Sequence, residues 1–146
     1  MTEPHVLFVC LHGAAKSVIA AAHFRRLAEA RGLRGTAAFA GTEPDPGIAP
    51  RVVTELLAEG IDVRSLRPRP VTAAAVAAAS RIVTFGCDLA ALGPTVPVER
   101  WDDVPAVSEG YEAARDAIDR RLARLVDDLA RARWASRGVG ADPGMA

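Results

Sequence analysis

The chain has 146 residues, half of them hydrophobic, which fits one compact domain and is too short for two ordinary ones. Its 18 basic side chains balance 18 acidic ones, so no net field draws it to nucleic acid or an anionic membrane, and any anion it binds is captured locally. Two cysteines and three histidines are too few for a disulfide scaffold and match no zinc spacing, which leaves Cys10 and Cys87 as either reactive or buried thiols.

The first apolar run, His5-Val6-Leu7-Phe8-Val9, ends at Cys10 and is followed by Gly13, the pattern of a buried strand turning into a loop. It is far shorter than the roughly 20 residues of a membrane helix and lacks the flanks of a signal peptide, so a cytoplasmic protein is expected. Over residues 17–31, Ile19, Ala20, His23, Phe24, Leu27 and Ala28 recur at helical spacing, with Ser17 as N-cap and Gly32 as stop. Residues 36–40 read as a second strand, followed by the turn-rich Gly41-Thr42-Glu43-Pro44-Asp45-Pro46-Gly47. A second helix is expected over about 49–59, carrying Val52, Val53, Leu56 and Leu57 inward.

Residues 64–70, with three arginines and two prolines, form an extended connection. A short alanine-rich helix opened by Thr72 runs to Ala79, and Arg81-Ile82-Val83-Thr84-Phe85 reads as another buried strand, closed by Gly86-Cys87. Residues 96–100 suit an edge strand, where Pro97 is tolerated. A long final helix is expected from Ser108 to about Trp134, with an acidic start and a basic end. Residues 1–137 then form the domain, and 138–146 a frayed tail.

Strands alternating with helices predict an α/β fold: a three-layer, doubly wound, mostly parallel sheet of about four strands with helices on both faces. In such a sheet the C-terminal strand ends share one edge, where ligands bind. Cys10, Thr42, Cys87 and the Asp102-Asp103 pair each follow a predicted strand and are expected to converge there.

Cys10-Leu11-His12-Gly13-Ala14-Ala15-Lys16-Ser17 lies between strand and helix. Small residues at 13 to 15 let successive backbone N–H groups point into one concavity, and the helix N-terminus adds positive partial charge. The same field favours a thiolate at Cys10, with Lys16 adding full charge and Ser17 a hydroxyl able to donate to the sulfur. A buried cysteine before a Gly/Ala turn fits the same string. Lys16 is the one lysine in a chain with 17 arginines, which argues for selection at that position.

Here the sequence resembles the low-molecular-weight protein tyrosine phosphatase superfamily, which includes the thioredoxin-type arsenate reductases. Its signature is Cys-x5-Arg-Ser/Thr between the first strand and first helix. The likeness extends through Gly41-Thr42, Thr84-Phe85-Gly86-Cys87 and Trp101-Asp102-Asp103-Val104-Pro105, in matching order from about Val6 to Leu129. The resemblance implies that Cys10 is a nucleophile, that the N–H groups of Leu11, His12, Gly13, Ala14, Ala15, Lys16 and Ser17 hold a tetrahedral oxyanion, and that Ser17 steadies the thiolate. It also implies an acid just before a proline after the last strand, for which Asp103 and Asp102 are the nearest candidates. No metal or cofactor is called for.

Three departures stand out. Lysine replaces the loop arginine, keeping charge but losing the planar bidentate fork. Gly13 stands where asparagine is common, and glycine still permits positive φ. No tyrosine flanks the candidate acid, since Tyr111 is the sole tyrosine and lies farther on. His12 is a second candidate donor to a bound oxyanion.

Cys87 sits where the arsenate reductases place a resolving cysteine, although the second such cysteine is missing between Ala90 and Pro94. The leading expectation is phosphomonoester hydrolysis through a phosphocysteine. Arsenate reduction through Cys10 and Cys87, or with an external thiol, is the alternative, and a catalytically weak oxyanion binder is the third. The expected partners are accordingly phosphate, arsenate or a phosphorylated substrate, with a thiol reductant in the second case.

Overall fold

The computed structural model describes residues 3–136. Four strands, β1 (His5–Cys10), β2 (Thr36–Gly41), β3 (Arg81–Phe85) and β4 (Val98–Arg100), form one sheet in the order β2-β1-β3-β4, and every neighbouring pair is parallel. Four helices accompany them: α1 (Lys16–Ala30), α2 (Pro50–Ala58), α3 (Ala73–Ala78) and α4 (Tyr111–Ser136). The α/β architecture and the edge position of β4 are as the periodicity implied, while β4 itself is shorter than the expected 96–100. The tail expected at 138–146 lies outside the described residues. Among the described residues no helix is long and apolar enough to cross a membrane.

Burial on both faces explains why β1 is a continuous apolar run with no alternation. Val6, Phe8 and Cys10 point into the larger core, with residues of α1, α2 and α4. Leu7 and Val9 point the other way, into a smaller core with Val76 of α3, Ile82 and Leu89. Three helices thus cover one face and one short helix the other. Phe8 packs between Phe24 and Trp101 at ring-centroid distances of 6.1 and 6.0 Å, and Phe85 meets Trp101 edge-on at 5.7 Å. Trp101 is fully buried and its backbone N–H donates to the Thr84 carbonyl at 2.8 Å, so it anchors the chain immediately after β4. Removing such a side chain typically costs about 3–5 kcal/mol, so Trp101 is one of the anchors of the segment that follows.

Two local expectations are corrected. Helix α1 begins at Lys16, and Ser17 is not its N-cap: Ala15 takes that place without a side-chain cap. The Ser17 hydroxyl is instead turned to Cys10. In α2 only Val52 and Leu56 are buried; Val53 is half-buried and Leu57 exposed, because the nine-residue helix presents a narrower face than its four aliphatic residues suggest. Thr72 caps α3 as read, its Oγ1 accepting from the Ala75 N–H at 3.0 Å. Helix α4 starts three residues later than predicted, after a short 3-10 turn at Val107–Glu109.

Candidate active site

The loop after β1 owes its shape to its carbonyls. Those of Cys10, Leu11, His12 and Ala14 accept hydrogen bonds from the N–H groups of Thr42, Glu43, Asp45 and Ala49, at 3.3, 2.7, 3.0 and 2.9 Å. In a trans peptide the carbonyl of one residue and the N–H of the next point in opposite directions. The N–H groups of Leu11, His12, Gly13 and Ala15 are therefore turned away from the 42–49 segment and into the loop's own concavity. The turn-rich stretch after β2 thus works as an outer brace for the loop.

Two glycines make that brace fit. Gly13 has φ +60°, and a Cβ there would lie 2.7 Å from the Gly41 nitrogen. A Cβ at Gly41 would lie 2.6 Å from the Gly13 nitrogen. Loop and β2 touch backbone to backbone, which only glycine at both positions permits.

At the mouth of the concavity sits Cys10, 8% exposed, at the last position of β1. Its Sγ lies 3.0 Å from the Oγ of fully buried Ser17, in the first turn of α1. The thiol therefore meets a hydroxyl and the positive end of a 15-residue helix together. Lys16 extends across the site, its Nζ donating to the Val104 carbonyl at 2.9 Å. The loop's one full cation thus also ties it to the segment after β4.

A cavity of about 500 Å³ opens over this loop, lined by Cys10, His12, Lys16, Asp45, Arg51 and Ser108 among others. Leu11, Ala14 and Ala15 also contribute to its wall. Asp45, Arg51 and Ser108 were not singled out from the sequence. Their signal, a turn segment and a helix start of ordinary composition, carried no chemistry until the fold brought them to the loop.

The other predicted residues lie nearby in different settings. Asp102 accepts from the Gly86 N–H at 2.9 Å and from Arg100 Nε at 3.0 Å. Asp103 is exposed and paired with Arg121 of α4. Neither belongs to the cavity wall. The residue directly before Pro105 is Val104, which is buried. Cys87 is half-buried, its Sγ donating to the Val9 carbonyl at 3.4 Å. Burial pushes its thiol pKa up, and the negative charges of Cys10 and Asp102 add to the shift. Thr42 lies at the same edge, with Oγ1 3.5 Å from the Leu11 carbonyl.

A thiol at a strand end, inward-facing amides and a helix N-terminus meet at the sheet edge where ligands bind in parallel α/β domains. The chain belongs to the low molecular weight phosphotyrosine protein phosphatase family, whose model matches residues 5–100. Among solved structures, YfkJ from Bacillus subtilis superposes with a TM-score of 0.77 at 22% identity, over 90% of this chain and 97% of that one. A thioredoxin-dependent arsenate reductase from Corynebacterium glutamicum gives 0.69 at 25% identity, over 89% of this chain and 63% of that one. A low molecular weight protein tyrosine phosphatase from Bacillus subtilis gives 0.72 at 21% identity, over 88% and 99%. No curated protein sequence matches the chain.

Proposed function

We propose that this protein hydrolyses phosphomonoesters through a phosphocysteine on Cys10. The observation that carries the reading is the 3.0 Å contact between Cys10 Sγ and Ser17 Oγ inside a loop whose peptide N–H groups face inward. A phosphoryl group seated there has its equatorial oxygens on the amides of residues 11–17 and phosphorus in line with sulfur. Sulfur attacks, the S–P bond forms and the ester oxygen leaves; water then attacks phosphorus and returns the thiolate, for which Ser17 is the resting donor. Lys16 supplies the charge a family arginine supplies elsewhere, as a single point and not a fork. Charge stabilisation is therefore kept while orientation falls to the main chain. A thiol nucleophile of this kind works in a reducing compartment, which favours the cytoplasm.

Arsenate reduction is a second reading, supported by the position of Cys87. It lies two residues past Phe85, the register partner of Cys10, and bonds to the carbonyl of the residue preceding Cys10. In that reading Cys10 forms the arsenate adduct and Cys87 attacks the Cys10 sulfur. Arsenite leaves with the electron pair, and an external thiol reduces the disulfide. Its raised pKa makes Cys87 a slow attacker near neutrality, which is why hydrolysis ranks first. A weak oxyanion binder is the reading left if neither reaction turns over.

The test is a side-by-side assay of aryl phosphate hydrolysis and thiol-supported arsenate reduction by wild type and Cys10→Ser. Loss of hydrolysis by about 10⁴-fold or more in the variant is expected, as for other nucleophile deletions. Equal residual rates in both proteins would remove both enzymatic readings.

A further inference from the structure

We propose that His12, oriented by Asp45, is the proton donor and acceptor for this reaction. The proposal rests on the reading of Cys10 as phosphoryl acceptor and goes beyond it by naming the acid–base group. Expelling an unactivated alkoxide or phenoxide requires a proton on the leaving oxygen, and a positioned donor typically contributes about 10²–10⁴-fold. The segment after β4 offers the cavity no carboxyl or imidazole: Asp102 is held by Gly86 and Arg100, Asp103 is turned to Arg121, and Ser108, which does line it, is a hydroxyl too weakly acidic for the task.

The cavity wall does hold an imidazole and a carboxylate side by side. His12 Nδ1 lies 3.3 Å from Asp45 Oδ1 and 3.1 Å from the Glu43 carbonyl oxygen. Nδ1 carries a proton and donates to the Glu43 carbonyl, with the Asp45 carboxylate beside it as a charge partner, and Nε2 is the ring nitrogen that exchanges protons. The backbone fixes this pair twice over, because the His12 carbonyl accepts from the Asp45 N–H at 3.0 Å. His12 is two residues from the nucleophile, within the loop that holds the anion, so the ring and the phosphoryl group share one rigid frame.

The proton inventory closes. In the first step the imidazolium gives its Nε2 proton to the leaving oxygen as the P–O bond breaks and the S–P bond forms. In the second, neutral Nε2 takes a proton from water as its oxygen attacks phosphorus and the S–P bond breaks, which restores the imidazolium and the thiolate. The Glu43 carbonyl holds the Nδ1 proton, and Asp45 is a positioning residue throughout, its carboxylate stabilising the charged ring.

First-turnover rates with two esters test the assignment. 2,4-Dinitrophenyl phosphate expels a leaving group that needs no proton, whereas phenyl phosphate does. His12→Gln is expected to keep the first-turnover rate on the dinitrophenyl ester within about threefold and to lose about 100-fold on phenyl phosphate. It is also expected to accumulate phosphocysteine, seen by mass spectrometry of the quenched protein. Asp45→Asn is expected to show the same leaving-group split at roughly tenfold. Both side chains are about half exposed, so unchanged melting temperatures should accompany these rates. Equal losses on the two esters, or wild-type rates on both, would overturn the assignment of His12. So would the split appearing in Asp103→Asn instead. Retention of wild-type activity by Cys10→Ser is a separate failure, since it removes the phosphocysteine itself.

Discussion

Helix α1 carries two polar constellations, and they are built on opposite plans. At its N-terminus Ser17 and Lys16 meet Cys10 and an inward ring of amides beneath an open cavity. Midway along, His23 is buried with both ring nitrogens taken, Nε2 by Glu59 and Nδ1 by Asp119, each at 2.6 Å. Tyr111 donates its hydroxyl to the second oxygen of Glu59 at 2.9 Å, and Arg26 donates to the Glu59 backbone carbonyl at 2.6 Å. The inner cluster spends its hydrogen-bonding capacity on the protein and ties α1, the end of α2 and α4 together. The outer one aims its donors at a space a guest can fill. Buried polar groups are conspicuous in both, yet only unspent capacity beside a cavity marks a site.

That contrast breaks if the inner cluster proves to affect chemistry or the outer one stability. The largest expected effect belongs to the inner cluster: His23→Ala leaves Glu59 and Asp119 without their shared partner and should cost about 3 kcal/mol, read from urea unfolding, with kcat unchanged. Its pH dependence sharpens the point. Burial alone would lower the His23 pKa, but Asp119 and Glu59 together outweigh it, so the pKa is raised above 6.5. A raised histidine stabilises fully below the unfolded value and loses that contribution as pH climbs through the folded one. Wild type should therefore lose unfolding free energy as pH rises above 6.5 and through the raised folded value, and His23→Gln should show a flatter profile over the same rise.

At the outer cluster, Ser17→Ala should lower kcat by about 10- to 30-fold, the worth of a charge-assisted hydrogen bond, and slow alkylation of Cys10 at pH 6. Its unfolding midpoint should move much less than that of His23→Ala. The smallest effect is expected at Cys87. Cys87→Ser should leave aryl phosphate hydrolysis within about twofold, because its thiol touches the Val9 carbonyl and not the anion loop. The same variant should abolish single-turnover arsenate reduction through an internal disulfide. A matching loss of hydrolysis would show that the two thiols act as one unit.

Much of the outer cluster was legible because its physics is local. A buried apolar run, a cysteine and a string of small residues before an amphipathic helix specify a strand, a turn and a helix N-terminus within 13 positions, 5–17. The order of elements followed from periodicity, and with it the shared edge that Cys10, Cys87 and Asp102 occupy. What escaped were features set by distant segments. Ser17 reads both as a cap and as a donor to the Cys10 sulfur; the second reading holds at 3.0 Å, while the cap position falls to Ala15. Asp45 looked like turn chemistry because nothing in its neighbourhood announces that the turn leans on residues 11–14. His23 read as one more core position of α1, since its two carboxylates lie 36 and 96 residues farther along. Side-chain partners of that separation are a property of the fold and not of any window of sequence.

The backbone contact between Gly13 and Gly41 has a consequence for how the molecule changes over generations. A side chain at either position would strike the main chain of the other segment, whatever residue stands there, so neither site can accept a larger residue without lifting the turn off the sheet. The shape of the loop is accordingly fixed by the packing of its backbone against β2. Under the proposed reading, a phosphoryl group would find this loop already organised.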